Sequence, residues 1–148
     1  MTLGPALTQA VTAVLPMFGF SVVLTLEESL ASLSSGAEVN VLLGFSGGMR
    51  GSLVLGCSQL LAREIVSRMM GGATVLELDE MGRSALAELA NMLGGSALGY
   101  VDTDTAIELS PPTLITGQRL HLLISQVVST RLVYSLEEEQ LTLSYCTE

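Results

Sequence analysis

Three residues able to do chemistry recur at helical spacing in the middle of the chain: Ser84, Glu88 and Asn91. At about 100° per residue they share one narrow face, with Glu80 and Ala87 beside it. That face carries an acid and a carboxamide one turn apart. Leu86, Leu89 and Leu93 occupy the opposite side. That apolar stripe must face a core, so the polar triplet points outward from a helix held from beneath. Any amphipathic helix shows its polar side to water, and spacing alone favours that plainer reading.

Other reactive side chains are sparse. His121 is the only histidine and lies in a strand-like segment, so a Ser-His-Asp or Cys-His arrangement would have to be built around it without a local signature. Asp102 and Asp104 have the pattern of a solvated turn rather than of metal ligands. The glycines at 44, 47, 48 and 51 lack both the Gly-Lys-Ser/Thr ending of a phosphate loop and the strand-to-helix setting of a dinucleotide site; hairpin geometry accounts for them. Cys57 and Cys146 sit far apart in apolar stretches, where cysteine is a small core residue rather than half of a disulfide or metal site.

The elements that must position the triplet follow from composition and periodicity. With 148 residues, 49% apolar and 14% charged, residues 1–148 are expected to form one domain with its own core. A net charge of −9 repels a phosphate backbone and excludes nucleic acid as a partner. Residues 1–26 carry no charge, yet no basic segment opens them, Thr2, Thr8, Gln9, Thr12 and Ser21 interrupt the apolar run, and Pro16 with Gly19 breaks it. A cytoplasmic protein with no membrane contact is the expectation.

Leu7, Ala10, Val11, Val14 and Leu15 predict a first helix. Val22, Leu24 and Leu26 predict a half-buried strand. Past a polar break at Ser34-Ser35-Gly36, residues 39–45 and 49–55 predict a β-hairpin turning at Ser46-Gly47-Gly48. Leu60, Leu61, Ile65, Val66, Met69 and Met70 predict a helix capped by Ser58 and ended by Gly71-Gly72. The helix with the triplet starts near Leu78 or Asp79 and stops at Gly94-Gly95. Residues 107–109 and 113–116, split by Pro111-Pro112, predict strands at a sheet edge. Residues 120–124, 127–136 and 141–146 predict the closing strands, with a solvated turn over 137–140. The order argues for an α+β fold, helices packed on a largely antiparallel β-sheet.

Several segments together resemble the CheC/CheX/FliY family of chemotaxis phosphatases, in particular its CheX-like members. They are the run Gly44-Phe45-Ser46-Gly47-Gly48-Met49-Arg50-Gly51-Ser52-Leu53, Met69-Met70-Gly71-Gly72, Leu78-Asp79-Glu80, Ser84-x3-Glu88-x2-Asn91, and Ser110-Pro111-Pro112-Thr113 with Gly117. The set is specific through its order and spacing, whereas Glu-x-x-Asn alone is short enough to arise by chance. Ala90 stands where the family often has glycine, and Gly94-Gly95-Ser96 replaces a more usual Ala-Gly combination.

The resemblance implies a CheC/CheX-like domain that dephosphorylates the aspartyl phosphate of a CheY-type response regulator. It implies that the Glu-x-x-Asn helix enters the receiver's active site, where the receiver supplies the phosphoaspartate, a lysine and Mg2+, so that no cofactor is expected on this chain. Asn91 would then position the attacking water, Glu88 would pair with the receiver's lysine, and Ser84 would be a supporting contact. Neither Gln9 with Thr12 nor Glu64 with Ser67 repeats the acid-plus-carboxamide pair, so one site per chain is expected. The resemblance also implies a homodimer joined at sheet edges, and the apolar strands near the C-terminus are the expected edge. The competing readings are a receiver-docking or flagellar-switch module of the same fold without catalysis, and a small-molecule-binding domain.

Overall fold

Alternating apolar residues place the strands of this chain with one face toward a helical layer, and a second, smaller apolar set needs cover on the other face. The computed structural model describes residues 1–148. In chain order the elements are α1 (Leu3–Val14), a 3-10 turn (Leu15–Phe18), β1 (Val22–Leu30), β2 (Leu33–Ser35), β3 (Val39–Gly47), β4 (Gly51–Cys57), α2 (Gln59–Met69), α3 (Glu80–Gly99), β5 (Ile107–Leu109), β6 (Thr113–Thr116), β7 (Leu122–Ser125), β8 (Ser129–Leu136) and β9 (Glu139–Thr147).

The main sheet runs β1-β8-β9-β4-β3, and β5 and β6 both pair along the outer side of β3. Every pairing is antiparallel. Pro111 and Pro112 separate β5 from β6 at that edge, where the missing N–H groups interrupt no interior ladder. The three helices cover one face, and the shared core includes Leu7 and Val11 of α1, Ile65 of α2, Leu89 of α3 and Leu43, Leu55, Leu132 and Leu143 of the sheet. On the other face the two-stranded ribbon β2-β7 covers Val54 and Cys146 with Leu33 and Ile124.

Several expectations are revised. The polar break at Ser34-Ser35-Gly36 is largely strand: Ser35 is buried in β2 and its hydroxyl donates to the Oδ1 of fully buried Asn40, whose Nδ2 donates to Ala37 O. The strand at 22–26 forms but is not half-buried. β1 lies at a sheet edge, a bulge at Thr25 interrupts its register with β8, and Leu24 and Leu26 are 39% and 48% exposed. The C-terminal strands are not an edge, because β8 and β9 lie inside the sheet. Leu60 of the second helix faces solvent. The acidic turn is only Glu137-Glu138, with Glu139 and Gln140 already in β9.

Candidate functional site

The helix that carries the triplet is fixed at its start, beneath, and along its second half. Asp79 caps α3, its Oδ1 accepting from the Gly82 N–H at 2.9 Å, and Glu80 adds negative charge to the first turn, where the helix dipole favours it. Leu86, Leu89 and Leu93 are fully buried, and Ala90 is buried with them. Contrary to the expected stop at Gly94-Gly95, the helix continues to Gly99. Gly94 stays helical because its bare Cα lets α3 settle on Leu43 of β3 and Leu109 of β5, and buried Ala97 extends the apolar stripe another turn.

The structure brings Ser84, Glu88 and Asn91 to the outer face of this helix, the first two exposed and Asn91 half-buried. None of the three is held by another side chain: the hydrogen bonds of this helix's polar groups are those of Asp79 and Arg83, and the ion pairs of the chain lie elsewhere. Arg83, the one cation of α3, is turned to the Leu78 carbonyl, to which it donates at 2.7 Å. Glu88 is therefore an acid on an acidic protein with no cation of its own, an arrangement that fits an external ammonium group. Half-burial limits the rotamers of Asn91, which suits a group that must hold one water in one place.

The remaining candidates are dispersed. His121 is exposed and precedes β7 rather than lying within a strand. Asp102 and Asp104 are on an exposed loop. Cys57 and Cys146 are buried and free, Cys57 in the main core and Cys146 beneath the ribbon. Gly47 has φ +107°, the conformation the hairpin turn requires. Glu64 is paired with Arg68 at 2.9 Å and the Thr12 hydroxyl donates to Thr8 O, so neither α1 nor α2 shows a second free acid–carboxamide pair. No group of three or more His, Cys, Asp and Glu residues is placed to hold a metal ion.

Two residues of the exposed face were not singled out from the sequence. Met81 is 68% exposed and sits about 20° from Glu88 around the axis, two turns earlier; Gly95 sits about 20° to the other side, two turns later. The same periodicity that grouped the triplet contained both. Gly95 reads in the sequence as part of a helix stop, and Met81 carries no signal beyond that spacing.

A family model described as "Chemotaxis phosphatase CheX" matches residues 39–136, from the start of β3 to the end of β8. The chain belongs to the CheX family. A curated relative from Thermotoga maritima, named CheY-P phosphatase CheX, is 37% identical over 81 residues, 54% of this chain and 52% of the relative. The chain thus spans about half the length of that relative. The crystal structure of a chemotaxis protein CheX from Desulfovibrio desulfuricans superposes with a TM-score of 0.82 at 17% identity, over 99% of this chain and 96% of that one. A CheX-CheY-BeF3-Mg2+ complex from Borrelia burgdorferi matches with a TM-score of 0.73 at 14% identity, over 99% and 95% of the two chains. These likenesses extend the CheX fold to α1, β1 and β9, which the family model does not reach.

Proposed function

We propose that this CheX-family chain hydrolyses the aspartyl phosphate of a CheY-type response regulator, with Asn91 positioning the attacking water and Glu88 pairing with a lysine of the receiver. The observation that carries the reading is an acid and a carboxamide without partners inside the chain, one turn apart on a helix whose opposite face is fully buried. The Thermotoga relative's name and the CheY present in the Borrelia complex support it.

In this reaction a water oxygen bonds to phosphorus as the bond to the aspartyl oxygen breaks, leaving a free carboxylate and inorganic phosphate. Such transfers depend chiefly on in-line placement and charge stabilisation. The Asn91 carbonyl would accept from the water while its amide donates to a phosphoryl oxygen. Glu88 would anchor the complex, and removing one partner of such a desolvated pair costs about 2–5 kcal/mol. Ser84 would add a supporting contact one turn earlier. The Mg2+ belongs to the receiver in this scheme, where it neutralises phosphoryl charge. The same reading makes the protein cytoplasmic and dimeric, two copies joining along the β1 edge.

The test is the decay of a phosphorylated CheY-type receiver in Mg2+ with substoichiometric protein. Wild type should accelerate decay over many turnovers. Asn91→Ala should lose turnover while still binding the receiver, and Glu88→Ala should lose binding as well. Unchanged decay with binding intact would make the chain a docking module instead.

A further inference from the structure

The two consecutive glycines of α3 differ in what the fold asks of them. At Gly94 an added Cβ would meet Leu43 Cδ1 at 3.2 Å and Leu109 Cδ1 at 3.4 Å, so the bare Cα lets the helix lie against the sheet. At Gly95 an added Cβ would meet nothing within 4 Å. The residue is exposed, its φ is not among the positive values, and helix continues beyond it to Gly99. It is neither a cap, nor a turn, nor a point of close packing. A glycine in a helix interior loosens the fold relative to alanine, because it loses more backbone freedom on folding. Inside the chain that loss has no return.

Its position supplies a reason outside the chain. Gly95 lies four residues after Asn91 and seven after Glu88, and about 100° per residue puts it between the two around the axis. It is one turn beyond Asn91, within about 5–6 Å of it between side-chain origins. Glu88 and Asn91 are both free of internal partners, so a surface engaging them meets the helix at Gly95 next.

We propose that Gly95 is a positioning residue of the phosphatase site: the receiver's surface beside its phosphoaspartate rests directly on the α3 backbone there. A methyl group at this point holds the receiver off the helix and moves the phosphoryl group out of line with the water on Asn91. This rests on the reading of α3 as the face that engages a phosphorylated receiver. It adds that the distance of closest approach is set by an absent side chain, while Glu88 sets the charge pairing.

Gly95→Ala tests it, with thermal melting of the free protein and steady-state hydrolysis of CheY-type receivers phosphorylated by acetyl phosphate in Mg2+. The variant should melt about 2–4 °C higher, as alanine is the better helix former. Its kcat/KM should fall on the order of tenfold or more, with kcat lowered as well as KM raised, since a shift near 1 Å at such a site is costly. A variant that hydrolyses like wild type overturns the inference and leaves the phosphatase reading standing. Activity lost together with a lower melting temperature also overturns it, by assigning Gly95 a structural role. A wild type silent on every receiver removes the phosphatase reading and this inference together.

Discussion

Glu88 and Asn91 were visible in the sequence as a spacing, and what turns the spacing into a candidate site is the lack of any internal partner for either side chain. Partnering is a property of three dimensions. Arg83 could have reached back to an acid of its own helix, and only the folded chain shows it bound to the Leu78 carbonyl. The cysteines illustrate the opposite case, since apolar surroundings in sequence were enough to place both in a core. Burial pushes the Cys57 thiol up to about 12, helped by Glu139 and Glu38, and burial likewise raises the Tyr134 phenol to about 12. The unfolded chain releases these protons from the ordinary 9.0 and 10.0 upward, so above these values the native state binds more protons than the unfolded one. Stability must then fall as pH rises. Urea midpoints followed from pH 8 to about pH 11 should decline from about pH 9, and a flat profile would contradict the burial of both groups.

At the scale of elements, α3 behaves as a rail whose start, underside and slope are each set by a different interaction. The start was legible because an Asp followed by Glu and an apolar period has few other uses. The end was not, because the effect of a Gly-Gly pair depends on what lies beneath it, and Leu43 and Leu109 are remote in sequence. Asp79→Ala isolates the cap: losing the bond to the Gly82 N–H should cost about 1 kcal/mol and about 2–4 °C in melting temperature. The phosphatase activity proposed above should be nearly unchanged per folded molecule, because the underside remains in place. An activity loss well beyond the stability loss would show that the first turn itself takes part in the site. β7 falls largely in the strand expected over 120–124, whereas its partner β2 reads in the sequence as a polar break for a related reason. Ser35 reads as loop chemistry until Asn40 accepts its hydroxyl in a buried position.

For the whole molecule, the dimer proposed above depends on the strand at the free side of the sheet. Periodicity identified β1 as a strand but not its neighbours, and burial along a strand depends on them. With β8 and β9 inside the sheet, β1 offers unpaired backbone beside Val23, Leu24 and Leu26, at 60%, 39% and 48% exposure. An uncovered apolar edge of this kind invites a second strand. Leu26→Lys should convert the proposed dimer to a 15.5 kDa species in sedimentation, and a wild type already sedimenting at that mass would remove the dimer. The strand order has a further consequence, for synthesis. β1 and β4 are made early, yet the hairpin that fills the gap between them, β8-β9, is made only after all three helices. Until it arrives the sheet is two disconnected pieces, and Leu132, Tyr134, Leu141 and Leu143 are missing from the surface that the helices must cover. The helix that carries Glu88 and Asn91 therefore has its full seat only once β9 has been made, and a chain stalled before that point exposes apolar surface that chaperones bind.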